Sequence, residues 1–164
     1  MICIPKDTLG RSTMRYEFRP ARATELAEVT EVVAEAYQPW AIALGFRPPP
    51  MDADYAGLIE AERVYVMGHG GVDGIVVLVD EDDCLLVQNV AVRPGLQGQG
   101  VGRALLGFAE REAARRGLSA LRLYTHEKMA SNVALYLALG YVETDRQPIS
   151  VGNLVHLRKT VAMS

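Results

Sequence analysis

Two stretches of this chain hold residue types whose spacing suits chemistry. The first is Gln97-Gly98-Gln99-Gly100-Val101-Gly102, which follows the apolar run Leu85 to Val92 and opens an amphipathic run reaching about Arg116. Strand, glycine turn and helix in that order make an anion site. The first amides of a helix have no internal partner, the helix dipole favours negative charge there, and glycines remove the Cβ atoms that would hold a phosphate away. The stretch reads as a pyrophosphate cradle; the plainer alternative is a tight strand-to-helix turn. A P-loop is excluded because Gly102 is followed by Arg103 and Ala104, and a dinucleotide fingerprint because Arg103 stands where its third glycine belongs. The second stretch is the run Ala130 to Leu139, apolar except for Ser131, Asn132 and Tyr136. Such a helix is expected to be mostly buried. Asn132 and Tyr136 lie at i and i+4 on one face, and a buried polar stripe must find partners or line a cavity. The plainer alternative packs Tyr136 in the core, its hydroxyl bonded to a backbone carbonyl.

Gln97, Gly100 and Gly102 fill the defined positions of Q/R-x-x-G-x-G/A, and in this the stretch resembles the pyrophosphate-binding signature of the GNAT N-acetyltransferase superfamily. Asn132-Val133-Ala134-Leu135-Tyr136-Leu137-Ala138-Leu139-Gly140-Tyr141 likewise resembles that superfamily's N-x-A-x-x-L/Y-Y-x-x-x-G-F/Y helix. The resemblance covers the chain from Tyr16 to about Val161. It implies acetyl-coenzyme A as cosubstrate, its pyrophosphate held by Gln97, Gly98, Gln99, Gly100, Val101, Gly102 and Arg103. Asn132 would contact coenzyme A, and Tyr136 would sit near the thioester sulfur as general acid. The amides of the pantetheine arm would pair with the strand backbone at Val90, Ala91 and Val92. An N–H near Val90 or Ala91 can stabilise the oxyanion.

The base is less defined. Many superfamily members carry a Glu where this chain has Gln88, which cannot take a proton. His126 and neighbouring Glu127 are alternatives, although His126 reads rather as a surface-loop histidine; His69 and His156 read as structural. An amine that loses its proton to water needs no dedicated base. Cys84 is disfavoured as a nucleophile because no basic partner sits near it in sequence.

The elements that must position these groups are legible in turn. A chain of 164 residues, 49% hydrophobic and 23% charged, has the length of one domain with a real core. Its net charge of −3 gives no sign of nucleic-acid binding and suits an amine substrate. Cys3 and Cys84 lack metal spacing, no metal site is expected, and two free thiols fit a reducing cytoplasm. No apolar run reaches membrane-spanning length and no signal-peptide pattern opens the chain, so the expected location is cytoplasmic. Residues 1–15 read as an N-terminal extension and 16–164 as the catalytic domain.

Along the domain, a short strand precedes Pro20, and Thr24 is the expected N-cap of a helix with Leu26, Val29, Val33 and Tyr37 on one face. From Tyr37 to Asp54 the chain reads as a proline-stiffened aromatic loop forming a wall of the acceptor pocket, Trp40 included. A short helix over 52–61 follows. Strands at Val64 to Met67 and Ile75 to Val79 would turn at Asp73-Gly74. Glu81-Asp82-Asp83 reads as a solvated turn. After the helix ending at Gly117 come a strand over Leu121 to Thr125, the Ala130–Leu139 helix, a strand over Tyr141 to Thr144, a loop holding Pro148 and Gly152, and a last strand over Leu154 to Arg158. This order implies an α/β (α+β) GNAT fold with a mixed, mostly antiparallel twisted sheet of about six or seven strands. The expected activity is direct acetyl transfer to an amine in an acidic pocket mouth, with a homodimer plausible. The alternatives are O-acetyl or longer-acyl transfer, or a non-catalytic acyl-coenzyme A-binding module; an intact Tyr136 argues against the module.

Overall fold

The computed structural model describes residues 16–162, so the expected extension over 1–15 lies outside the described residues. Seven strands form one sheet: β1 Phe18–Pro20, β2 Val64–Met67, β3 Gly74–Asp80, β4 Cys84–Val92, β5 Ala120–His126, β6 Val142–Ile149 and β7 Gly152–Thr160, in the order β1-β2-β3-β4-β5-β7-β6. Only β4 and β5 pair in parallel; every other neighbour pair is antiparallel. The helices are α1 Leu26–Leu44, α2 Tyr55–Glu60, α3 Val101–Arg115 and α4 Ala130–Ala138. The expected mixed, mostly antiparallel sheet flanked by helices is the observed one.

Period-2 alternation sends the central strands' side chains to two cores. Ile75 and Val77 join Val29, Val33 and Tyr37 of α1 in one apolar cluster, whereas Val76 and Leu78 join Leu105 and Ala109 of α3 in the other. Gly74 lets α3 lie close to the sheet, since a Cβ there would meet Leu105 Cδ1 at 3.2 Å.

Several boundaries differ from expectation for tertiary reasons. α1 does not stop at Tyr37 but continues through Pro39 to Leu44, where Gly45 takes a left-handed φ of 77° and donates to the Ala41 carbonyl. Proline forfeits one helical hydrogen bond, yet continuing the helix buries Leu44 against the same core as Tyr37. Thr24 is not the N-cap; it lies in a 3-10 turn over Ala23–Glu25, and the Glu25 carboxylate accepts from Arg22 N–H at 2.9 Å. The β2–β3 connection is not a two-residue turn at Asp73-Gly74: Gly74 is already paired with Met67, and the turn occupies 68–73. β6 runs on through Pro148 because it is an edge strand, where a missing N–H costs nothing. α4 is not mostly buried. Only Asn132 and Tyr136 are enclosed, and Leu137 is 49% exposed, so the polar pair is its inward face.

Glu25 anchors the entry to α1. Both its oxygens accept from Arg19 at 2.7 Å, and this partner holds its carboxyl down at about 2 against burial, which acts in the opposite sense. A depressed folded value stabilises above the ordinary 4.5 and loses that contribution as pH falls toward 2. Glu25→Gln is therefore expected to cost about 1–3 kcal/mol at neutral pH. The gap in denaturant midpoint from the parent should close as the pH falls from 4.5 toward 2. A gap that persists at the acid end would mean the loss is one of packing.

Candidate active site

β4 and β5 pair only over Cys84–Leu86 with Ala120–Arg122, and beyond that they part, β4 running to Val92 and β5 to His126. The parting coincides with a β-bulge. Leu78 pairs with Val87 and Val77 with Asn89, so Gln88 has no opposite number on β3. A bulge bends its strand and shifts side-chain parity by one. Leu85 and Val87 face the α3 core, and after the bulge Val90 and Val92 face it too, while Ala91 turns to α1. Past the bulge, β4 keeps β3 on one side and, among the described residues, has no strand on the other. That leaves Val90, Ala91 and Val92 with an edge to offer a ligand amide.

The glycine stretch follows directly. After a 3-10 turn over Pro94–Leu96, Gly98 and Gly100 both take φ of 81°, and Gly100 is the N-cap of α3. Left-handed residues alternating with ordinary ones are the backbone geometry of an anion-binding concavity. No side chain caps the first turn of α3, and a Cβ on Gly100 would meet nothing within 4 Å. Arg103 is exposed on that first turn. Gln97 and Gln99 reach back only weakly, to the carbonyls of Val92 at 3.4 Å and Gly95 at 3.3 Å. A glycine loop leading into a helix start that no described side chain caps fits a diphosphate. Arg93 does not join it; it is held by Glu31 at 2.8 Å, Glu35 at 3.2 Å and the Val72 carbonyl at 2.8 Å.

Asn132 and Tyr136 come from α4, which packs on β5 and β6. They are 1% and 0% exposed, and Tyr136 shares its apolar cluster with Val90, Val92 and Val101. Its ring meets that of Tyr141 edge-on, centroids 5.8 Å apart.

At the bulge a cavity of about 380 Å³ opens on the α1–α2 face. Gln88, Asn89 and Tyr124 line it from the sheet, the segment Phe46 to Ala53 from one side, and Ser150 and Val151 of the β6–β7 turn from another. The proline-stiffened segment is thus a pocket wall, but only its second half. Trp40 is not among the lining residues, because α1 carries it away.

One directional chain of hydrogen bonds fixes that wall, and little in the order of residues announces it. The Tyr37 hydroxyl donates to Asn89 Oδ1 at 2.6 Å, Asn89 Nδ2 donates to the Tyr55 hydroxyl at 2.9 Å, and that hydroxyl donates to the Pro50 carbonyl at 2.6 Å. The only available signal was an asparagine inside the apolar run Leu85 to Val92. Burial pushes the Tyr55 phenol well above its ordinary range, so the chain stays neutral.

The candidate bases are occupied elsewhere. His126 is not a surface histidine but 0% exposed. Its Nδ1 accepts from Lys128 N–H at 3.1 Å, leaving Nε2–H to donate to the Val151 carbonyl at 2.9 Å. Glu127 accepts from Asn153 N–H at 3.1 Å and pairs with Arg146 at 3.6 Å. His156 is fixed between Arg122 and Gln147, with burial holding it below its ordinary value, and His69 is exposed in the 68–73 turn. Burial pushes the Cys84 thiol up to about 11, which makes it inert as a nucleophile. Glu81 and Asp83 are paired with Arg122 and Arg158 at the turn between β3 and β4, and among the described residues no carboxylate lines the pocket, in place of the expected acidic mouth. Among the described residues no His, Cys, Asp and Glu cluster has the makings of a metal site, and no helix is long and apolar enough to cross a membrane.

These features have close parallels. Residues 60–143 match the family model described as an acetyltransferase (GNAT) domain. The [ribosomal protein bS18]-alanine N-acetyltransferase of Escherichia coli (strain K12) is 44% identical over 55 residues, 34% of this chain and only 37% of that protein. The crystal structure of the ribosomal-protein-S18-alanine N-acetyltransferase from Escherichia coli matches with a TM-score of 0.72 and 23% identity over 92% of this chain and 96% of that one. PaiA N-acetyltransferase from Thermoplasma acidophilum, solved in complex with coenzyme A, matches with a TM-score of 0.76 and 16% identity over 90% and 99%. At such identities the structural likeness is one of fold. The family match, by contrast, spans more than half of the chain and takes in the parted strands, the glycine loop, α3 and α4: this chain belongs to the GNAT acetyltransferase family.

Proposed function

We propose that this protein moves an acetyl group directly from acetyl-coenzyme A to an amine of a small molecule or peptide, within one ternary complex. The observation that carries this reading is the layout of β4. One strand holds the pocket floor at its bulge, a free edge over Val90, Ala91 and Val92, and the glycine loop at its end. A donor bound along that edge, with its pyrophosphate at Gln97–Arg103, presents its thioester toward the bulge. Asn132 contacts the coenzyme A arm from α4.

In the transfer the amine lone pair forms the N–C bond and the C–S bond breaks. The developing oxyanion takes a backbone N–H near Val90 or Ala91. One amine proton leaves to solvent, and Tyr136 gives the departing thiolate a proton, to be replaced from water. No dedicated base is required. A lining with no carboxylate among the described residues disfavours the ammonium form, so the amine it holds is biased to the neutral, nucleophilic state.

Two substitutions test the reading. Gly100→Val puts a branched side chain where φ is 81° and where the diphosphate would lie. It should weaken coenzyme A binding by about tenfold or more while costing about 1–2 kcal/mol of stability. A folded variant with unchanged calorimetric affinity would remove the cradle. Tyr136→Phe keeps the ring and deletes the proton donor. Turnover should fall about a hundredfold with coenzyme A affinity barely changed, measured where single-turnover kinetics show chemistry to be limiting. Full activity would return Tyr136 to a packing role, with water as the acid.

A further inference from the structure

The pocket's polar inventory points to the kind of amine it takes. Tyr55 and Asn89 spend their polar atoms on the chain that runs from Tyr37 to the Pro50 carbonyl, so they present mainly apolar surface to a ligand. Prolines 49 and 50, Phe46, Leu58, Val77 and Leu154 make most of the remaining wall apolar. Tyr124 and Ser150 add hydroxyls, and Arg47 is the one charged side chain in the lining.

Arg47 is held but not consumed. Its Nε donates to Asp52 at 2.8 Å, and one terminal nitrogen makes a long bond of 3.4 Å to the Met51 carbonyl. Both members of the ion pair are more than half exposed, 57% and 62%. Such pairs are worth about 0–1 kcal/mol and exchange readily for a ligand. A guanidinium in that state is a ready fork for a carboxylate.

These features exclude some acceptors and favour another. A polyamine or a lysine side chain brings positive charge to a lining that holds an arginine and, among the described residues, no carboxylate. An apolar amine without an anion leaves Arg47 unused. Resting on the acetyl-transfer reading above, we propose that the acceptor is a free amino acid with an apolar or aromatic side chain, its carboxylate received by Arg47 and its side chain by the proline-lined wall. Neutralising the carboxylate also removes the group that holds the amine in its ammonium form, and the nearby guanidinium adds to that effect. Pairing at Arg47 therefore selects the acceptor and helps to activate it.

The test measures thiol release from acetyl-coenzyme A with L-phenylalanine, L-leucine, L-phenylalaninamide, phenethylamine, spermidine and a peptide with a free N-terminal alanine. The two acids should exceed the amide and the simple amine by about tenfold or more in kcat/KM. Arg47→Gln should bring the acids down to the amide's level, chiefly through KM, with calorimetric binding of acetyl-coenzyme A reporting that the variant is folded. Equal rates for acid and amide, a preference for spermidine or the peptide, or a preference for acids that survives Arg47→Gln would overturn the acceptor class while leaving amine acetylation in place. Silence across the whole panel, from protein that binds acetyl-coenzyme A, would overturn the transfer reading along with it.

Discussion

The parting of β4 from β5 is the constraint on which the rest of the site depends. Two parallel strands that pair over Cys84–Leu86 and then separate leave backbone donors and acceptors along the free part of β4. Such groups are costly to bury without a partner, and here they flank side chains that are fully enclosed. The arrangement suits a ligand that brings amides of its own and completes the sheet. The bulge at Gln88 makes the parting compatible with a packed core, because the parity change lets Val90 and Val92 face the same core as Leu85 and Val87. Without it, either the core or the gap would be lost.

Everything around the gap is braced to keep it open. α3 lies close over the strands at Gly74, and its amino end points to the loop that β4 feeds. Arg93 ties the start of that loop to Glu31 and Glu35 of α1. His126 at the end of β5 holds the β6–β7 turn through Val151, and its ring lies 5.3 Å from that of Phe46. The histidine that sequence spacing offers as a base is thus a strut between two pocket walls.

Electrostatics divides the site into two chemical halves. The glycine loop offers helix-start amides and Arg103, groups of a kind that suits phosphates. The pocket at the bulge offers apolar surface, hydroxyls and one arginine, which is paired with Asp52, while Glu81 and Asp83 are paired away from it. A net charge of −3 therefore says little about the substrate, because the excess acid does not face the pocket.

How much was legible follows the range of the interactions involved. The glycine loop, the helix it opens and the Asn132/Tyr136 face were readable because each rests on neighbours within a turn or two. The order of strands and helices, and with it the fold class and family, followed from such local signals taken in sequence. The course of α1 through Pro39 was not readable, since burial of Leu44 outweighs a local breaker. Nor was the bulge, which is a mismatch of register between β3 and β4 that neither strand shows alone. The pocket's fixed wall depends on bonds from Asn89 to residues 52 and 34 positions away, and Arg47 gains its meaning from the apolar lining around it. The sequence by itself determined the glycine turn and the helix amino end it feeds, because both are local. Only the tertiary structure decided what the acceptor meets, because a cavity's charge is set by residues distant in the chain.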